Sequence, residues 1–204
     1  MLFAAKIIGM AKHTSTTDPE AFGHILFVYE SKQKRLKVLA DYFDQGLRNE
    51  ELCILVTPES SEEIIQDLLS AGLDVREAVK NNDLRIFEMN EAYLPNGKFV
   101  GNYMLTNVVN YIVDAKARGY NGVRTAGEMA WLFDHPEFLE AASKYEQNVN
   151  KLNKVSPEFT GLCMYPVREG TSDIIDKALE THPSFIHDGT METNPFNKPS
   201  PLSA

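Results

Sequence analysis

The sequence predicts an α/β fold, a three-layer sandwich around a mainly parallel central sheet. Short apolar runs of strand length recur at residues 25–28, 52–56, 84–87, 122–126 and 160–167. Segments with apolar residues at spacings of three and four separate them, each long enough for a covering helix. Strands that alternate with helices in this way form parallel sheets with both faces covered.

Taken in order, Ile25-Leu26-Phe27-Val28 reads as a first buried strand. A helix over residues 32–48 follows, with Leu36, Leu39, Tyr42, Phe43 and Leu47 on one face. Leu52-Cys53-Ile54-Leu55-Val56 is the second strand, and Ser60-Ser61-Glu62-Glu63 is a capping box that opens a second helix, closed by Gly72. Leu84-Arg85-Ile86-Phe87 is the third strand. A loop with Pro95-Asn96-Gly97 leads to a helix over residues 102–118 that stops at Gly119. The fourth strand lies at residues 122–126. Asp134-His135-Pro136-Glu137 is read as the capped start of a helix carrying Phe138, Ala142, Tyr145, Val149 and Leu152. Residues 160–167 make the fifth strand, residues 172–181 a helix and residues 184–186 a short last strand. The expected division is an arm over residues 1–21, a folded domain over 22–189 and a disordered tail over 190–204, where Asn194-Pro195-Phe196-Asn197-Lys198-Pro199 has no periodicity.

The 204 residues suit one domain with a full core, and 43% hydrophobic with 24% charged residues is ordinary for a soluble globular chain. A net charge of −9 argues against direct nucleic-acid binding, which needs clustered cations. The basic run from Lys32 to Lys37 reads as the solvated face of the first helix. Cys53 and Cys163 both sit in apolar strand-like runs, the pattern of buried reduced thiols in a cytoplasmic protein rather than of a disulfide framework. No apolar stretch approaches the ~20 residues that span a bilayer. The opening residues 1–10 are short and lack a convincing cleavage site, so a signal peptide is a weak reading.

The first strand leads into Tyr29-Glu30-Ser31-Lys32-Gln33-Lys34-Arg35, a place where a phosphate-binding loop would carry glycines and a Lys-Ser/Thr pair. This connection has no glycine and begins with an acid that repels phosphate, which argues against ATP hydrolysis by that route. Ligands in open α/β sheets bind where strands end. Standing at or near those ends are Tyr29, Glu30, the segment Arg124-Thr125-Ala126-Gly127-Glu128-Met129-Ala130-Trp131, and Cys163 with Tyr165. From these, Tyr29, Glu30, Arg124, Glu128, Trp131, Cys163 and Tyr165 are the candidate ligand-binding residues.

Five segments then carry a specific resemblance: His24-Ile25-Leu26-Phe27-Val28-Tyr29-Glu30, the stretch from Arg124 to Trp131, Tyr145-Glu146-Gln147-Asn148-Val149-Asn150, Leu162-Cys163-Met164-Tyr165, and His182-Pro183. In this order, over residues 22–189, the chain resembles the MEDS family, sensory domains of methanogens and methylotrophs. The resemblance implies a relationship to RecA/KaiC-like ATPases without a working phosphate loop. It also implies sensing of small hydrocarbon derivatives, commonly beside a DNA-binding or histidine-kinase module. No such module is visible in these 204 residues, so output is expected through a histidine kinase or transcription regulator acting in trans, with or without homo-oligomerisation. If the sheet follows the implied order, strands one and four are neighbours, bringing Tyr29 and Glu30 beside Arg124 and Glu128.

The expected function is therefore a non-catalytic cytoplasmic sensor that binds a small, largely apolar molecule and needs no cofactor, metal or membrane. Two rivals stay open: an enzyme using Glu128 as acid or base with Cys163 as nucleophile, and a degenerate ATPase-like assembly subunit. Individual residues also have plainer readings. Glu128 and Arg124 can form a structural ion pair, Trp131 can be core, and His24 and His182 can be loop or capping residues. A metal site from Cys53, Cys163, His24 and His182 suits the chemistry of soft ligands but has no supporting spacing. Pairing of a Cys163 nucleophile with His182 lacks it as well.

Overall fold

The structure is a computed structural model that describes residues 23–170, 172–187 and 189–198. Its centre is a seven-stranded sheet built from β1 (His24–Tyr29), β2 (Glu51–Thr57), β3 (Leu84–Glu88), β4 (Gly122–Glu128), β5 (Phe159–Pro166), β6 (Ser184–His187) and β7 (Thr190–Thr193). Spatial order is β3-β2-β4-β5-β1-β6-β7, with every pairing parallel except β6 with β7. The α/β class and the mainly parallel sheet agree with the sequence. One part of the expected order does not. β5 lies between β1 and β4, pairing Leu26 with Cys163 on one side and Gly127 with Cys163 on the other. Strands one and four are not neighbours.

The helices are α1 (Lys32–Arg48), α2 (Ser61–Ser70), α3 (Arg76–Lys80), α4 (Met89–Tyr93), α5 (Gly101–Arg118), α6 (Trp131–Asp134), α7 (Leu139–Val155) and α8 (Ser172–Thr181). α1 begins where Ser31 accepts a hydrogen bond from the Lys34 amide, and α2 begins at the full Ser60–Glu63 capping box. Gly119 ends α5 in the left-handed region at φ 82°, where a side chain would be strained. The helix expected at Asp134 starts later: Pro136–Phe138 forms a 3-10 turn and α7 begins at Leu139 without a side-chain cap.

Two sheet faces carry two layers of core. Ile25, Phe27, Cys53, Leu55, Ala126, Leu162 and Met164 face α1 and α2, packing on Leu39, Phe43, Ile64 and Leu68. The alternate residues face α5 to α8, with Leu26, Val56 and Tyr165 against Trp131, Ala142 and Leu179 in one cluster, and Leu52, Ile54 and Phe159 against Val108 and Val149 in another. The period of two along each strand thus sorts every side chain to one layer or the other. β1 and β2 lead to helices on the first face, whereas β4 and β5 lead to helices on the second, so the side to which the chain turns changes at the carboxyl ends of the sheet.

The segment after Gly189, expected to be disordered, is ordered as far as Lys198. β7 pairs with the edge strand β6, and buried Asn194 donates to the Leu179 and His182 carbonyls at 2.7 Å each. The expected arm at residues 1–21 and the end of the tail at 199–204 lie outside the described residues. No helix among the described residues is long and apolar enough to cross a membrane.

Candidate functional site

Two polar clusters are set into the sheet, one on each face. At the carboxyl ends on the α1 side, the Tyr29 hydroxyl donates to Glu128 Oε2 at 2.8 Å, and Arg35 Nη1 donates to the same oxygen at 3.1 Å. The Ala130 amide supplies a third donor at 3.2 Å, to Oε1. Arg35 also holds Glu59, which accepts from Thr57. Glu128 is fully buried. Burial raises its carboxyl above the ordinary value, against the pull of Tyr29 and Arg35. Glu59 is held low: its desolvation is outweighed by the hydrogen bonds from Arg35 and Thr57. Burial first, then the charge and hydrogen bond of Glu128, push the Tyr29 hydroxyl up.

Arg124 is not part of this cluster. It stands near the amino end of β4, donates to Glu51 at 2.5 Å and lies 4.6 Å over the Tyr42 ring. Gly46 allows this approach, since a Cβ there would sit 2.7 Å from Arg124 Cδ. The expected Glu128–Arg124 pair is therefore replaced by two separate pairs at opposite ends of one strand. Glu30 is also elsewhere: it is exposed and paired with Lys34 at 2.7 Å.

The second cluster lies in the α7 and α8 layer. His24 Nε2 is 2.8 Å from Glu146 Oε2 and 3.4 Å from Cys163 Sγ. His182 Nε2 is 3.7 Å from Glu146 Oε2, and its ring centroid is 4.1 Å from that of His24. Tyr165 meets the His182 ring edge-on at 6.3 Å. His24, Glu146 and His182 are fully buried. His24 opens β1 rather than standing in a loop, whereas His182 does follow the end of α8, where its amide and its Nδ1 both meet the Ala178 carbonyl. Burial, reinforced by His24, depresses His182 to about 3. Glu146 goes the other way: burial would raise it, but the hydrogen bond and charge of His24 hold it low. Burial and the adjacent Glu146 carboxylate raise the Cys163 thiol, and with it so high the free side chain is a poor nucleophile. Cys53 faces the opposite layer, with burial pushing it up to about 12.

Beside this second cluster is a cavity of about 50 Å³. Tyr93, Met104, Val108, Tyr145, Val149 and Phe159 give it apolar walls, with His24, Thr125 and Cys163 as polar points. Trp131 lies one ring further back, fully buried and stacked on Tyr93 at 5.4 Å and on Phe99 at 4.9 Å. Of the candidate residues, then, the structure joins Tyr29 to Glu128 on one face and brings Cys163 and Tyr165 to the same histidine–glutamate cluster on the other. It sets Trp131 behind the cavity wall and leaves Glu30 and Arg124 outside both clusters.

Sequence reasoning missed Arg35, Glu59, Glu146 and Asn150 as site residues. A signal existed for two of them. Glu146 falls between Ala142 and Val149 on the apolar stripe of α7, and Arg35 shares the α1 stripe of Leu39 and Tyr42. A charged residue on a buried stripe implies a buried partner.

The profile of the MEDS family, described as the methanogen/methylotroph DcmR sensory domain, matches residues 23–183. The chain belongs to the MEDS family. Both clusters fall inside the match, which closes on the strand-and-helix unit ending at His182-Pro183. This MEDS domain is also similar to the transcriptional repressor DcmR of Methylorubrum extorquens, with 27% identity over 160 residues. The alignment spans 78% of this chain and 57% of that repressor, so the chain matches little more than half the length of its relative. The family is described as a sensory domain, and the repressor role belongs to the relative.

Proposed function

We propose that this MEDS domain is a non-catalytic, cytoplasmic sensor for a small, largely apolar molecule, received in the cavity between the sheet and α5 and α7. The cavity carries this reading. Its walls are aromatic and aliphatic, and polar groups are few, which is the composition of sites that select small apolar ligands. At about 50 Å³ against roughly 10–15 Å³ for one water-sized probe, it suits a molecule of only a few non-hydrogen atoms, such as a hydrocarbon derivative. Rearrangement of α5 or α7 around the occupied cavity would convey the signal to a separate histidine kinase or transcription regulator, or to a second copy of the chain.

Catalysis is supported less well. Glu128 and Cys163, the pair an enzyme would need, lie on opposite faces of the sheet. A degenerate, RecA/KaiC-like assembly subunit shares the α/β sheet, and the absence of a glycine loop after β1 fits it equally; the apolar cavity favours the sensor.

The test is mass spectrometry of whatever small molecule co-purifies, followed by titration of short alkyl and haloalkyl compounds against Trp131 fluorescence. Trp131 stacks on the cavity-lining Tyr93, so occupation should change its emission. Val108→Phe, which fills the cavity, should abolish the response in protein that retains its far-UV circular dichroism, whereas Glu128→Gln should leave affinity unchanged. Binding that survives Val108→Phe and is lost in Glu128→Gln would move the site to the carboxyl-end cluster.

A further inference from the structure

We propose that His24, Glu146, Cys163 and His182 form a site for one divalent transition-metal ion of the zinc type, set into the wall of the cavity. One ligand atom from each residue lies within 4.8 Å of all the others. Bond lengths of about 2.0–2.3 Å in tetrahedral zinc sites place ligand atoms about 3.3–3.8 Å apart. His24 Nε2 to Cys163 Sγ is 3.4 Å, His182 Nε2 to Glu146 Oε2 is 3.7 Å, and Cys163 Sγ to the Glu146 oxygens is 3.7 and 3.8 Å. The His24 to Glu146 distance of 2.8 Å is shorter than these, being a direct contact that an ion would open.

The surroundings are those of ligands already aimed. His24 Nδ1 is 2.8 Å from Asn150 Oδ1, and the Asn150 amide is fixed by donation to the Thr181 carbonyl at 2.5 Å. His182 Nδ1 is 2.8 Å from the Ala178 carbonyl, which can only accept, so Nδ1 carries the proton. Both rings therefore turn Nε2 inward, the arrangement by which outer acceptors orient metal-binding imidazoles. His182 Nε2 is fully buried and has no hydrogen-bond partner among the described residues. It points toward a carboxylate 3.7 Å away with no donor or acceptor between them, a juxtaposition that a bound cation would relieve.

Ligand chemistry sets the class of ion. Two imidazoles, a thiolate and a carboxylate suit zinc or its neighbours in the first transition row, and not the oxygen-seeking magnesium or calcium. The thiolate and carboxylate together also cancel the charge of a divalent ion, which a buried site requires. Cys163 and His24 line the cavity, so the ion would face it. This proposal does not depend on the identity of the sensed molecule.

The experiment uses the untagged full chain, reduced and freed of metal with a chelator, titrated with cobalt(II) and then zinc(II). The expected result is one equivalent of cobalt with the visible bands of a tetrahedral site and a thiolate-to-cobalt band in the near ultraviolet, both removed by zinc. Cys163→Ser should lose the thiolate band, and Cys53→Ser should keep it. Asn150→Ala, which removes no ligand, should weaken zinc binding by about 10- to 100-fold, a change that does not rely on the folding of a ligand variant. The proposal fails if folded wild-type protein takes up neither ion stoichiometrically. It fails equally if cobalt binds without the thiolate band, or if Cys53→Ser removes that band.

Discussion

Tyr29 and Glu128 meet across an intervening strand. They stand at the ends of β1 and β4, yet the Tyr29 hydroxyl reaches Glu128 at 2.8 Å over β5, where Met164 pairs with Phe27 on one side and Glu128 on the other. Two strand spacings, about 9–10 Å, are bridged by a long aromatic side chain and a carboxylate. Arg35 closes the cluster from α1, so β1 and α1 converge on one buried acid of β4.

Removal of Arg35 leaves that acid without a cation. Arg35→Leu is expected to cost about 3–5 kcal/mol at neutral pH, the range for breaking a buried ion pair from one side. Arg124→Ala is expected to cost less, about 1–2 kcal/mol, because its partner Glu51 has 16% side-chain exposure and can reach water, against 1% for Glu128. Urea denaturation of the two variants decides the matter. An Arg124 variant as damaged as the Arg35 variant would show that the amino-end pair, not the Glu128 cluster, governs stability.

Protonation of Glu128 gives a pH signature. The unfolded carboxyl titrates near 4.5, and burial places the native value higher. Below 4.5 both states hold the proton and the contribution to stability is complete. As pH rises through the window between the two values, the unfolded chain releases its proton first, and stability falls by at most about 1.4 kcal/mol per pH unit. Above the native value the loss is complete and the curve is flat. Glu128→Gln lacks this dependence, while Glu59 titrates in both proteins and cancels in the comparison. The stability of wild type relative to Glu128→Gln should therefore be greatest near pH 4.5 and decline toward pH 7.5 in urea melts. A difference that grows with pH would mean that Arg35 and Tyr29 overcome the burial.

The elements set by local chemistry were legible in the sequence. Helix α1 falls on residues 32–48 as expected, since its apolar period and its Ser31 start both lie within one segment. α8 likewise falls on residues 172–181. β7 was not legible, because its four residues form a strand only against the edge of β6. The short helix α4 depends on packing around Tyr93 in the same way. Within the site, the residue types were recognisable and their partners were not. Glu128 bonds to residues 99 and 93 positions away, and His24 meets Cys163 across 139. Sequence proximity favoured Arg124 as the partner of Glu128. The extended strand separates them, since four residues along β4 is about 13 Å.

The last prediction concerns the wall between Trp131 and the cavity. Gly127 is required there for space, since a Cβ would lie 2.0 Å from the Tyr93 hydroxyl and 3.3 Å from its ring carbon Cζ. The Tyr93 ring cannot swing aside freely, because it is buried and stacked on Trp131. Gly127→Ala should therefore destabilise the protein by about 1–3 kcal/mol, the usual cost of overpacking, and should alter Trp131 emission as Tyr93 is displaced. Adding Tyr93→Phe removes the clashing oxygen and leaves a tight but tolerable contact, so the double variant should recover most of the loss. Urea melts of the two single variants and the double variant form the cycle that measures this coupling. If Gly127→Ala is as stable as wild type, or if Tyr93→Phe gives no relief, the Tyr93 ring is not held against β4 and the cavity wall is softer than this packing requires.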